Sequence, residues 1–216
     1  MKSVLIVGVG RFGRHMAEKL NELGHQVMVV DSDEQRVKQA LPYASRGLIG
    51  DTTSPDFMGS LGINDYDLCV VAIGDDFQSS LETTLLLKEL GAKKVVARAA
   101  RGVHAKFLLR NGADEVVYPE KELAQWSAIR YSSDHIFDYI KIDDDNSVFE
   151  IDIPQKWLGK SLTQLDIRHK YQMNVIGIRT QGHLTLDVDP NVKLHADLRL
   201  LVTGTTQTLK KIFHEK

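Results

Sequence analysis

The hexapeptide Gly8-Val9-Gly10-Arg11-Phe12-Gly13 constrains this chain more than any other stretch. It follows the apolar run Val4-Leu5-Ile6-Val7 and precedes the helical pattern Arg14–Leu20. A Gly-x-Gly-x-x-Gly between a strand and a helix is the layout by which a βαβ unit holds phosphate. Gly8 permits the tight turn, Gly10 removes a side chain so that phosphate can approach the backbone, and Gly13 lets helix and strand pack closely. The helix N-terminus then offers free N–H groups and positive partial charge. The second strand ends in Val29-Val30-Asp31, with the acid eighteen residues after Gly13. A carboxylate there can accept both hydroxyl protons of an adenosine ribose. Ser32 and Asp33 follow, and the two carboxylates of Asp31-Ser32-Asp33 disfavour NADP by meeting its 2′-phosphate.

The rest of the N-terminal half repeats that strand–helix unit. Strands are expected at Val4–Val9, Gln26–Asp31, Arg46–Ile49, Leu68–Ile73, Val95–Ala99 and Glu115–Tyr118, with helices at Phe12–Glu22, Asp33–Ala40, Ser54–Leu61, Phe77–Leu90 and His104–Asn111. Gly24, Gly62, Gly91 and Gly112 stand at helix ends, where glycine commonly terminates a helix. Such alternation argues for a parallel sheet covered on both faces. Pro119 opens a further helix to about Ser132, and the acidic Asp143-Asp144-Asp145 reads as a solvated turn. From Ser147 the rhythm changes to strands at Val148–Ile153, Val175–Arg179, His183–Val188 and Leu198–Val202, with helices at Leu162–Lys170 and Thr206–Phe213 and a hairpin turn at Thr180-Gln181-Gly182. The expected fold is α/β, a Rossmann-like doubly wound parallel sheet over residues 1–136, with a small C-terminal α+β domain over 137–216.

Bulk properties remove several function classes. The net charge of −2 over 216 residues gives no basic footprint for nucleic acid or anionic lipid. No apolar run has the length of a membrane span. The start Met1-Lys2-Ser3 leads directly into a strand, without the apolar core of a secretion signal. The single cysteine, Cys69, lies in Leu68-Cys69-Val70-Val71 and reads as a buried strand residue.

Ligands of such sheets sit beyond the carboxyl ends of the strands. That rim carries Gly50-Asp51-Thr52-Thr53 after the third strand, Gly74-Asp75-Asp76 after the fourth, Arg98 on the fifth and Glu120 after the sixth. Asp51 and Thr52 can hydrogen-bond adenine or ribose, and Arg98 can pair with phosphate. Glu120 facing phosphate would need a cation between them, as Mg²⁺ supplies elsewhere. Arg11 is unnecessary for gripping a pyrophosphate, which backbone amides hold; it can reach a terminal phosphate, favouring ATP or ADP alongside NAD(H).

In order along the chain, GVGRFG, VVDSD, GDTTSPD, VVAIGDDFQSS, LLLKELGAKKVVARA and HAKFLLRNGADEVVYPEKE resemble the RCK (KTN) proteins, and more closely the cytosolic regulatory subunits of Ktr/Trk potassium-uptake systems. The resemblance implies a gating subunit rather than an enzyme. It implies homodimers assembled into an octameric ring beneath a membrane-embedded potassium translocator, with ATP and ADP favouring different ring shapes. The nucleotide residues it implies are Gly8, Gly10, Arg11, Phe12, Gly13, Asp31, Ser32, Asp33, Asp51, Thr52, Ile73, Gly74, Arg98 and Glu120. Arg11 would meet the terminal phosphate across the dimer, and Glu120 would contact a cation at the γ-phosphate. Some members bind cyclic di-AMP in the C-terminal domain; the comparable positions here are Leu162, Asp166, Arg168 and Pro190. Three other readings stand beside this one, the blandest being an assembly scaffold whose nucleotide site is idle. An NAD-dependent oxidoreductase would need acid–base chemistry, for which the C-terminal part offers only His169, His183 and His195 without companions. A free-standing nucleotide or redox sensor would need another partner, and no DNA-binding motif is present.

Overall fold

The computed structural model describes residues 1–214. The chain divides into two compact units, Met1–Lys121 and Glu122–Lys216. Among the described residues, no helix is long and apolar enough to cross a membrane.

The first unit is built on six parallel strands: Ser3–Val7 (β1), Gln26–Asp31 (β2), Arg46–Ile49 (β3), Leu68–Val71 (β4), Val95–Arg98 (β5) and Glu115–Val117 (β6). Their spatial order is β3-β2-β1-β4-β5-β6. Between them run the helices Arg11–Glu22 (α1), Glu34–Ala40 (α2), Pro55–Gly59 (α3), Phe77–Glu89 (α4) and Gly102–Arg110 (α5). The period-two geometry of a strand sends neighbouring side chains to opposite faces. Val4 and Ile6 pack with Ala17, Val37 and Ala40 from α1 and α2. Leu5 and Val7 pack with Met58, Leu87 and Leu108 from α3, α4 and α5. Both faces of β1 are therefore sealed, which is why its sequence is continuously apolar. Gly24, Gly62, Gly91 and Gly112 all have positive φ at helix ends.

Cys69 lies inside this sheet with no exposed surface. Burial pushes its thiol up to about 12 from 9.0. Because the folded value is the higher one, the buried neutral thiol contributes stability below pH 9 that is lost as pH rises from 9 toward 12. At pH 8 a thiol reagent should label the native protein at least about 100-fold more slowly than the urea-unfolded chain, since labelling waits on opening of the sheet. Equal rates would place Cys69 at an accessible surface.

Pro119–Arg130 (α6) spans the division between the units. The second unit holds an antiparallel sheet of Ile136–Lys141 (β7), Ser147–Asp152 (β8), Asn174–Thr180 (β9), His183–Thr185 (β10) and Leu198–Gly204 (β11), in the order β10-β9-β11-β8-β7. Phe149, Ile151, Trp157, Met173, Leu194, Leu200 and Ile212 form its core. Thr206–His214 (α9) closes the described chain.

Several elements differ from the sequence expectation. β7 has no counterpart there, because a register shift between Ile136 and Asp138 interrupts its alternation. The helix expected over Leu162–Lys170 is two short ones, Leu162–Leu165 (α7) and Ile167–Tyr171 (α8), broken at Asp166 with φ +48°. The strand expected over His183–Val188 stops at Thr185, and Leu186 is left exposed. The hairpin turn falls at Gln181 and Gly182, with φ +48° and +85°, the left-handed pair that suits a two-residue turn. Asp143 forms the acidic turn by accepting from the backbone N–H groups of Asp145 and Asn146 at 2.8 and 2.7 Å.

Candidate functional site

Strand order reverses between β1 and β4, and a cleft of about 1100 Å³ opens there at the carboxyl ends of the strands. Its wall on the β1 side is the glycine loop. Gly8 has φ +86°, and a Cβ on it would lie 3.1 Å from the Ala72–Ile73 backbone. Gly10 is extended and precedes α1, whose N-terminus no side chain caps. Nothing lies within 4 Å of where a Gly10 Cβ would sit. The helix thus presents its first turn to open space, the arrangement that attracts an anion. Gly13 does not line the cleft; it packs beneath it, where a Cβ would sit 2.0 Å from the Gly8 carbonyl oxygen.

Asp31 is 7% exposed at the end of β2. Its Oδ2 accepts from the Val9 N–H at 2.8 Å and its Oδ1 from the Asp33 N–H at 2.9 Å. A carboxylate has about four acceptor positions, so capacity remains for ribose hydroxyls. The same side chain therefore fixes the glycine loop and faces the cleft. Asp33 does not line the cleft; its carboxylate caps α2, accepting from the N–H groups of Gln35 and Arg36. Arg36 lines it instead, 4.0 Å from Asp31. Only one of the two carboxylates expected to oppose a 2′-phosphate therefore stands in the cleft.

On the β3 side, Asp51 Oδ1 accepts from the backbone N–H and hydroxyl of Thr53 at 2.9 and 2.7 Å. Those bonds hold the Asp51 carboxyl below its usual range. Thr52 is buried, its hydroxyl 3.0 Å from that of Thr83 on α4. Ser32, Ile73, Gly74 and Phe12 complete the expected residues along the wall.

The far end is cationic. The Arg98 guanidinium passes beside Gly74, where a Cβ would come within 2.2 Å of its NH1, and lies 5.8 Å from the Phe12 ring. It donates to Glu120 Oε1 at 2.5 Å. Glu120 is held below its usual range by its own backbone N–H, then by Arg98, with a smaller contribution from Arg11. Arg98 Nε is buried without a hydrogen-bond partner among the described residues. The guanidinium as a whole lines the cleft, and a fixed guanidinium in a cleft wall has the chemistry of a phosphate contact. Among the described residues, no group of three or more His, Cys, Asp or Glu could hold a metal ion.

Arg14, His15, Arg36, Gln39 and Ser79 also line the cleft and were not anticipated. The signal for two of them is helical spacing: Arg14 and His15 follow Arg11 by three and four positions, which places them on one face of α1. In the second unit, the Pro190 carbonyl accepts from the Thr163 N–H and hydroxyl, both at 3.0 Å, so Leu162 and Pro190 lie on adjoining segments. Asp166 pairs with His169 at 2.5 Å, and Arg168 is exposed on α8.

The TrkA-N domain model matches residues 4–119, and the TrkA-C domain model matches residues 147–215. The chain is 33% identical over 219 residues to the Ktr system potassium uptake protein C of Bacillus subtilis (strain 168), covering 100% of this chain and 99% of that one. It is 32% identical over 214 residues to the Ktr system potassium uptake protein A of the same organism, covering 99% and 96%. The fold is also that of the GsuK channel bound to NAD, with a TM-score of 0.70 at 19% identity, over 99% of this chain and 40% of the channel's. The chain belongs to the RCK (KTN) family of TrkA-like regulatory, non-catalytic proteins related to the Ktr/Trk potassium-uptake systems.

Proposed function

We propose that this chain is the cytoplasmic regulatory subunit of a potassium-uptake system, acting on a membrane-embedded translocating subunit, and that an adenine nucleotide in the cleft sets its activity. The observation that carries this reading is the cationic end of the cleft, which Arg98 and Arg11 both line and where both act on Glu120. The Ktr names of relatives matched over nearly their whole length supply the transport context. In this reading ATP and ADP are opposing signals. A nucleotide shifts a two-state equilibrium only by its differential affinity for the two states. The γ-phosphate is what ATP has and ADP lacks, so contacts made to it alone carry the difference. Homodimers joined in an octameric ring would bring Arg11 to the terminal phosphate of a neighbouring subunit, and Mg²⁺ would bridge that phosphate to Glu120.

NAD(H) is the second reading, favoured by Asp31 at the ribose position and by the NAD named for the GsuK structure. One calorimetric series separates the two. Nucleotide-stripped protein is titrated with ATP, ADP and NADH, with and without Mg²⁺, and the series is repeated on Arg11→Ala. A lost hydrogen bond to a charged group costs about 1.5–3 kcal/mol, so ATP should weaken roughly 10- to 150-fold while ADP and NADH change by less than about threefold. Equal losses for all three would refute a terminal-phosphate role. Binding of NADH alone, indifferent to Arg11, would transfer the function to a redox signal.

A further inference from the structure

His104 is the one buried histidine among the described residues, 1% exposed in the first turn of α5. It does not line the nucleotide cleft. Its two ring nitrogens reach two different segments. The Ala99 N–H still donates to the Val117 carbonyl at 2.8 Å, and the next amide, Ala100 N–H, donates instead to His104 Nδ1 at 3.3 Å. Across the ring, Nε2 lies 3.2 Å from the hydroxyl of Ser80 on α4, a residue with no exposed surface. Both segments lead to the cleft. Ala100 stands two residues after Arg98, and Ser80 one after Ser79; Arg98 and Ser79 line the cleft wall.

The hydrogen bonds fix the position of the proton. An amide N–H can only donate, so Nδ1 is bare, and the neutral ring carries its hydrogen on Nε2 as donor to Ser80 Oγ. A second proton must go to Nδ1, where it meets the Ala100 N–H; two donors face each other and the bond is lost. Few groups surround the ring. α4 adds Phe77, with ring centroids 4.9 Å apart, and the acid that caps α4, Asp76, is taken up by the N–H and hydroxyl of Ser79. Arg101, at the N-cap of α5, is the charged side chain that acts on the imidazole, and among the described residues no carboxylate does. Burial first, and then the Arg101 charge, hold the ring below its ordinary 6.5.

We propose that His104 is a positioning residue of the nucleotide cleft: its neutral imidazole ties the turn after Arg98 to the helix whose first turn walls the cleft, and a proton on Nδ1 breaks that tie. The inference rests on the nucleotide reading of the cleft. Release of the turn removes the anchor of Arg98, and affinity falls with the fraction of molecules that keep it. Because the folded ring is held neutral, affinity is full above pH 6.5 and is lost as pH falls through the titration of His104.

The test compares full-length parent, His104→Asn and His104→Phe. The Asn carboxamide oxygen replaces Nδ1 as acceptor and takes no proton; Phe keeps a ring and offers neither nitrogen. In calorimetric titrations with ADP at about pH 7.5, Asn should bind within about twofold of the parent and Phe about tenfold more weakly. Toward about pH 5 the parent should lose about tenfold more affinity than Asn. Ionisation of ADP and of His15, which also lines the cleft, is common to both proteins and cancels in that difference. Two mass-spectrometric measurements need no nucleotide. Deuterium uptake at the imidazole Cε1 should place the His104 titration below 6.5. Exchange of the Ala100 amide should accelerate in the parent relative to Asn through the same range. The proposal fails if His104 titrates at 6.5 or above, if parent and Asn share one pH profile, if folded Phe binds as the parent does, or if Ala100 exchange does not follow His104. Absence of ADP binding at every pH would overturn the adenine-nucleotide reading, and the Ala100 comparison would still decide whether the imidazole holds the turn.

Discussion

Replacing Gly13 with alanine should destabilise the N-terminal unit and abolish nucleotide binding, although helix propensity alone argues the reverse. Gly13 lies in the first turn of α1, and alanine is favoured over glycine in a helix by up to about 1 kcal/mol. The new Cβ would sit 2.0 Å from the Gly8 carbonyl oxygen and 3.2 Å from the Ala72 Cβ. The first of these is backbone, so relief requires α1 to move off the sheet or the glycine loop to open. Overpacking of this kind costs about 1–3 kcal/mol and occasionally more, and a clash with backbone sits at the upper end, so the net loss should be about 2 kcal/mol after the helix gain. Gly10→Ala is the matched control. Its Cβ meets nothing within 4 Å and its backbone is extended, so the protein should melt as the parent does while losing nucleotide, because the methyl group fills the approach to the helix N-terminus. Urea denaturation and calorimetry on the two variants should thus separate fold from binding. A Gly13→Ala protein that is more stable and still binds would overturn this account of the loop.

How far the sequence reached depends on where each signal resides. The parallel sheet was legible because burial on both faces writes a continuous apolar run, as in Val4–Val7, and because glycine marks the helix ends. Strand ends were less so: the run extends to Val9, but Gly8 turns at φ +86° and β1 stops at Val7. β7 was illegible because its register shift destroys the alternation by which a half-buried strand is read. The split of α7 from α8 hides in Asp166, whose left-handed backbone leaves the apolar spacing on either side undisturbed. The cleft shows the same division. Asp31 and the glycines announce themselves by spacing from a single segment. The placement of Arg98 cannot be read that way, because Phe12, Gly74 and Glu120, which surround it, come from three other segments. Asp33 shows two local rules in competition. Its position suits a ribose contact and equally a helix N-cap, and the folded chain uses it as the cap.

Asp31→Asn should lower both stability and affinity, despite being nearly isosteric. The native carboxylate offers one oxygen to the Val9 N–H and the other to the Asp33 N–H. A carboxamide has only one oxygen. Whichever way it is turned, its NH2 faces one of those backbone donors, and two donors in contact leave a polar group unsatisfied. With the side chain 6% exposed, water has little access to repair the defect. An unsatisfied buried donor costs about 1–3 kcal/mol, so urea denaturation should show a loss of that size in the N-terminal unit. Binding falls for a separate reason, because the amide retains fewer acceptor positions for the ribose hydroxyls. ATP, ADP and NADH share that ribose, so all three should weaken together by roughly tenfold or more. This pattern is opposite to that of Arg11→Ala, which should discriminate between nucleotides. The pair of variants therefore assigns the two ends of the cleft independently: a common loss locates the adenosine ribose at Asp31, and a loss confined to ATP locates the terminal phosphate at Arg11. If Asp31→Asn were fully stable yet unable to bind, the carboxylate would serve the ligand alone, and the Val9 amide would have to be satisfied by a rearranged loop.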